Sequence, residues 1–181
     1  GTRYLTYHMI NNTNTDINDP FKNFYRIAVD DPTTVVRRNG VPMTGLINNF
    51  YYEIIDSIGG DYITADKPIM VAQYTPGGNR CWNNSQFAYG DPEMIYLSPI
   101  EQGSKDALFY ANRKTFIDFN YLNVLVQSTG IPSLRIDGNP FDPVNIITHP
   151  NNPSYSVAIA RITGAAGQHR LTCDSVFNAT I

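Results

Sequence analysis

The sequence predicts an antiparallel all-β fold, built as a β-sandwich from two duplicated modules. Three observations carry that prediction. The 181 residues include 12 Tyr, 9 Phe, 13 Gly and 12 Pro, with Asn and Thr throughout, which is the vocabulary of strands and turns rather than of helices. Short apolar or alternating runs recur between Gly, Pro, Asn and Asp, and no window sustains a 3.6-residue apolar period over a helical length. The chain also resembles itself. With 42% hydrophobic and only 16% charged residues, it has the material for a packed core. The formal net charge of −3, from 13 basic and 16 acidic residues, gives no general basic footprint for nucleic acid or anionic lipid. The apolar run at Ile69 to Ala72 is strand-sized, far short of the roughly 20 residues of a membrane helix.

The elements follow in order. Tyr4 to Ile10 alternates weakly and gives way to the polar stretch Asn11 to Pro20, read as a loop rich in local hydrogen-bonding side chains. Phe24 to Val29 alternates cleanly and ends at the turn Asp30-Asp31-Pro32. Thr34 to Arg38 leads into Asn39-Gly40, a strong signal for a two-residue hairpin turn. Phe50 to Ile55, Tyr62 to Thr64 and Pro68 to Tyr74 complete a meander, and Thr75 to Asn79 is a Gly/Pro loop. Glu93 to Leu97 and Leu108 to Tyr110 read as strands, with one short helix expected between Ile100 and Leu108. Tyr121 to Val126, Ser133 to Ile136, the turn Asp137-Gly138, Tyr155 to Ile162 and His169 to Ile181 form the second half.

The internal match has three blocks in the same order. Asn23 to Val29 aligns with Asn120 to Val126 (120 − 23 = 97), Val36 to Pro42 with Leu134 to Pro140 (138 − 40 = 98), and Ile63 to Asp66 with Leu171 to Asp174 (171 − 63 = 108). The extra ten positions fall where the second copy carries His149-Pro150-Asn151-Asn152-Pro153, a loop insertion in which His149 is expected to be solvated. The copies span 22–74 and 119–181 within a single 1–181 domain, joined by 75–118. Residues two apart in a strand share a face, so Ile27, Val29, Val36, Ile63 and Val71 are expected inward, beside Val124, Val126, Leu134, Leu171 and Ala179. The joining segment is the part that duplication does not explain, and hence the place to look for specialisation.

Signals for catalysis are sparse. His8, His149 and His169 are the only histidines, and the chain has no His-Glu-x-x-His, Cys-x-x-Cys or Gly-x-Ser-x-Gly pattern. His169, beside Gly167 at a strand start, is expected at a turn or edge. Asp91, Glu93 and Glu101 lie close in sequence and offer the paired carboxylates a glycosidase needs, although Asp91 in Gly90-Asp91-Pro92 is placed as a turn cap. Oxygen donors in Asn11 to Asp19 have no recognisable calcium spacing, so neither a metal nor a cofactor is expected. Aromatic residues are the more promising feature. Trp82, Tyr89 and Tyr96 flank the joining segment, and Phe50-Tyr51-Tyr52 places rings on both faces of one strand, available for sugar stacking or protein contact.

The block from Gly90-Asp91-Pro92-Glu93 through Pro99-Ile100-Glu101-Gln102 resembles the IgGFc-binding N-terminal domain family. Ala65 to Val71 before it, and Asn120 through Gly138 and Gly167-Gln168-His169 after it, extend the resemblance over most of the chain. The likeness is to bacterial members carried in large secreted or surface proteins of Bacteroidetes type. It implies an extracytoplasmic, non-enzymatic binding or adhesion module for a protein, glycoprotein or glycan ligand; the charge and the short apolar runs lead to the expectation of no nucleic acid partner and no membrane insertion. No Fc-contacting residue can be matched to a position here, and neither ligand nor oligomeric state is readable. A structural β spacer and a hydrolase using Asp91, Glu93 and Glu101 are the competing classes. In an exported chain, Cys81 and Cys173 are expected to form one bridge, since Cys173 aligns with Ala65 at the start of the last strand and Cys81 follows Tyr74. Closing a 92-residue loop (173 − 81) is worth about 4 to 5 kcal/mol in the chain-entropy view.

Overall fold

The alternation of Phe24 to Val29 becomes strand β2 (Asn23–Val29), with Tyr25, Ile27 and Val29 buried and Arg26 turned outward. The computed structural model describes residues 1–7, 23–57, 59–75, 93–114, 117, 120–163 and 165–181. They divide into two units, Gly1–Glu101 and Gln102–Ile181, so the copies expected at 22–74 and 119–181 fall one in each.

The first unit contains β1 (Arg3–Leu5), β2, β3 (Val36–Arg38), β4 (Val41–Pro42), β5 (Tyr51–Ser57), β6 (Tyr62–Ala65), β7 (Ile69–Tyr74) and β8 (Met94–Tyr96). They form two four-stranded sheets, β1-β6-β3-β4 and β5-β2-β7-β8, with every pairing antiparallel. One core joins the sheets. It draws Tyr4, Val36 and Ile63 from the first sheet and Tyr25, Ile27, Tyr52, Ile54 and Val71 from the second. Each fully buried aliphatic side chain there contributes about 1.5 to 3 kcal/mol.

The second unit contains β9 (Ser104–Ala111), β10 (Asn120–Gln127), a 3₁₀ turn (Ser128–Ser133), β11 (Arg135–Ile136), β12 (Asn139–Pro140), β13 (Asn145–Thr148), β14 (Tyr155–Ile162) and β15 (Gly167–Thr180). Its sheet runs β12-β11-β15-β10-β14-β13, with β9 also on β15. The 14-residue β15 pairs with β9 and β11 through its first half and with β10 through its last residues. Its register against β9 shifts between Thr172 and Phe177. The core comprises Leu122, Val124, Val126, Leu134, Ala158, Leu171 and Phe177, among others.

Registers in the two units correspond residue by residue. Ile27 faces Val71 and Val124 faces Ala179; Arg38 faces Ile63 and Ile136 faces Leu171. Asn39 and Asp137 both have φ near +53°, followed by Gly40 at +84° and Gly138 at +79°, the pair of positive φ values that a tight two-residue hairpin of this hand demands. The amides of Tyr62 and Arg170 donate to Asn39 Oδ1 and Asp137 Oδ1, each at 2.8 Å. The correspondence extends to β1 and β9, which the sequence comparison did not align: Tyr4 faces Ile63 as Ala107 faces Leu171.

Several expectations need correction. Nine of the ten inward positions are buried, but Ala179 is exposed. Past Phe177, which faces Ser104, β15 has only β10 as a paired neighbour among the described residues, whereas Val71 accepts a hydrogen bond from Leu97 N–H on its far side. The helix expected in Ile100 to Leu108 is a three-residue 3₁₀ turn, Ile100–Gln102, followed directly by β9. His149 is 2% exposed rather than solvated. Its N–H donates to Tyr155 O at 2.9 Å, its carbonyl accepts from Asn152, and Nδ1 accepts from Asn151 N–H at 3.3 Å, so local hydrogen bonds satisfy the buried ring's segment. Strand β13 adds to the expected elements, and the β-branched pair Ile146-Ile147 is its signal in the sequence.

Candidate functional site

The richest surface chemistry among the described residues lies on the outer face of the sheet β5-β2-β7-β8. Because Tyr25 and Ile27 point into the core, Phe24, Arg26 and Ala28 must point out, and the registers then fix the rows. Phe24 faces Tyr74, which faces Met94; Arg26 lies between Glu53 and Ala72, and Ala72 faces Tyr96; Ala28 lies between Tyr51 and Met70. Met70, Met94 and Tyr96 are exposed, and Tyr96 keeps 59% of its surface. Of the two alanines, Ala28 is half-buried and Ala72 is buried among larger neighbours.

Arg26 organises the centre. Its Nε donates to Glu53 Oε1 at 2.9 Å, and Cζ lies 5.5 Å, 5.1 Å and 5.6 Å from the ring centroids of Phe24, Tyr51 and Tyr74. Phe24 and Tyr74 meet edge to face at 5.2 Å. These are cation–π and aromatic cross-strand contacts. The hydrogen bond to Glu53 raises the pKa of the guanidinium further, so it is charged at every physiological pH.

Of the residues proposed from sequence, Tyr96 lies on this face. Trp82, Tyr89, Cys81 and Asp91 fall outside the described residues. Glu93 is exposed, its carbonyl accepting from Thr75 N–H at 2.9 Å. Glu101 accepts from Thr2 Oγ1 at 2.7 Å and from Arg3 Nε at 3.2 Å. Partial burial pushes its carboxyl pKa up, but these hydrogen bonds and one from backbone outweigh that and leave it lowered. A general acid needs the opposite shift. Cys173 is buried, with Sγ 3.2 Å from Ser133 Oγ and 3.4 Å from Gly130 O. His169 stacks on Phe109 at 5.3 Å, and its Nδ1 lies 2.7 Å from Asp137 Oδ2, at a strand start as expected. No group of three or more His, Cys, Asp or Glu able to hold a metal occurs among the described residues, and no helix there is long and apolar enough to cross a membrane.

Phe24, Arg26 and Tyr74 are not among the residues the sequence singles out, whereas Tyr51 is, within Phe50-Tyr51-Tyr52. The signal was present: an alternating strand whose outward positions begin Phe-x-Arg is not an ordinary polar face.

Antiparallel sheets over apolar cores define an all-β protein of β-sandwich type, with an arginine-centred aromatic face on one sheet. The chain belongs to the IgGFc binding protein family, whose sequence model matches residues 1–181. No curated protein and no solved structure matches it.

Proposed function

We propose that this chain is a non-enzymatic, extracellular binding module, carried by a larger secreted or cell-surface protein, that recognises a protein or glycoprotein through the outer face of the sheet β5-β2-β7-β8. The observation that carries the reading is the concentration of Phe24, Arg26, Tyr51, Tyr74, Met94 and Tyr96 in adjacent rows of one exposed sheet face. Aromatic and arginine side chains are the residues enriched at the energetic centres of protein interfaces, and the family's description names a protein ligand. Trp82 and Tyr89 belong to the segment that leaves β7 after Tyr74 and returns at Met94, the register partner of Tyr74; the reading does not rest on them. The matching registers of the two units support duplication of one module as the origin of the scaffold.

A glycoprotein and glycan array probed with the purified chain tests the proposal. Tyr96→Ala and Phe24→Ala, each with an unchanged far-UV spectrum and melting temperature, are expected to lose the array signal by tenfold or more. Signals unchanged in both variants would remove the face from the binding site.

A further inference from the structure

The centre of the face carries an unused recognition element. Glu53 engages only Nε of Arg26, and the two terminal amino groups of the guanidinium have no partner among the described residues. Yet the group is not free to search, since three rings and Glu53 hold it in place. The ordering cost of the side chain is therefore met before any partner arrives, and a planar fork of N–H donors is presented to a carboxylate. Beside it lies Ala72, buried among its larger neighbours, and Tyr96 stands exposed on the far side of Ala72 in the same row.

Spacing selects the shape of what fits. The Cα positions of Arg26 and Tyr96 are separated by two strand intervals, on the order of 9.5 Å. In a polyproline II segment, residues three apart share one face and lie about 9.3 Å apart, whereas a β-strand repeats its face at about 6.7 Å. Aromatic surfaces are also the usual receptors for this conformation, which is stiff and loses little entropy on docking.

Resting on the binding reading above, we propose that this face takes an acidic, proline-rich segment of a partner protein in the polyproline II conformation. Its Asp or Glu carboxylate pairs with the terminal amino groups of Arg26, and a proline three positions away packs on Tyr96. The segment crosses β2, β7 and β8 roughly at right angles to the strands.

The test uses the whole chain and three peptides: a central glutamate flanked by three prolines on each side, the same peptide with glutamine, and a glutamate peptide with Ser/Gly flanks. Side-chain NMR of the Arg26 Nε–H and the Tyr96 ring reads binding. Saturable shifts of both by the proline–glutamate peptide are expected, with about tenfold weaker binding of the glutamine peptide, which corresponds to about 1.4 kcal/mol. Equal binding of the glutamate and glutamine peptides on this face would overturn the carboxylate pairing while leaving the face a binding surface. Equal binding of the Ser/Gly peptide would overturn the polyproline geometry. No shift at Arg26 or Tyr96 with any peptide would overturn the proposal, and the array measurement with Tyr96→Ala then judges the binding face independently.

Discussion

Removing the Asp61 carboxylate should cost the first unit far more than removing its counterpart, His169, costs the second. Asp61 is 3% exposed and accepts two hydrogen bonds on one oxygen, from Arg38 Nε at 2.9 Å and Asn39 Nδ2 at 2.7 Å. It thereby clamps the β3–β4 hairpin turn to the start of β6. Its main-chain N–H and C=O bond to Thr6 Oγ1 and Thr6 N–H, each at 2.9 Å, and a side-chain substitution leaves these intact. A hydrogen bond to a charged group is worth about 1.5 to 3 kcal/mol. Both donors are open enough to water to be rehydrated in part, Arg38 keeping 39% of its side-chain surface, so Asp61→Ala should lose about 2 to 3 kcal/mol. At the matching place in the second unit, His169 meets an Asp137 side chain that is 44% exposed, and His169→Gln should lose under about 1 kcal/mol. Equilibrium unfolding in urea measures both, with a midpoint about 1 to 2 M lower for Asp61→Ala. A loss below about 0.5 kcal/mol for Asp61→Ala, or one no larger than for His169→Gln, would refute the clamp and the weighting of burial over charge behind it.

Gly138→Ala should cost about 1 kcal/mol or more from backbone strain alone, because φ is +79° and a Cβ there would meet nothing within 4 Å; thermal unfolding of the variant reads it. The Lys67 ammonium, followed by the Thr33 amide and hydroxyl, holds the Asp31 carboxyl down to about 2. Carboxyl NMR should find it there, and Lys67→Ala should move it back toward the ordinary carboxylate range. The Asp137 carboxyl is likewise lowered, by His169 first and then by Arg170 N–H. A folded-state value below the unfolded one stabilises above the unfolded carboxylate range near 3.9 and loses that contribution as pH falls through the folded value. Asp137→Asn should therefore flatten the acid limb of urea midpoint against pH. The expected Cys81–Cys173 bridge leaves no titratable thiol in protein unfolded without reductant, and two thiols per chain would exclude it.

The scaffold was largely legible from the chain because its information is local. Asn39-Gly40 and Asp137-Gly138 name their own turns, and the alternation of Phe24 to Val29 sorts that strand's faces without reference to any neighbour. What was not legible depended on partners distant in sequence. Arg26 is an ordinary exposed cation until β5 brings Tyr51 and Glu53, and β7 brings Tyr74, to its sides. His149 looks solvated in Thr-His-Pro-Asn-Asn, and only the return of the chain through Tyr155 encloses it. Ala179 is the repeat counterpart of Val71, but the repeat carries, among the described residues, no counterpart of the chain whose Leu97 N–H bonds to Val71.

The length of β15 bears on the order in which the protein takes shape during synthesis. In the first unit, the residues that close the two sheets over the core belong to separate short strands, β6 and β7, complete by Tyr74. In the second unit, both tasks fall to β15, which starts 65 positions after Gln102 and pairs with β9, β11 and β10. Until Gly167–Thr180 leaves the ribosome, β9 and the β11–β12 hairpin have no strand to dock on, and β10 has only β14 beside it. At roughly 5 to 20 residues per second, the first unit has several seconds to pack while the second stays open, its strand edges and apolar faces uncovered. Non-local pairing of this kind is slow and exposed to aggregation, so the arrival of β15 sets how long the strand edges of the nascent second unit stay uncovered.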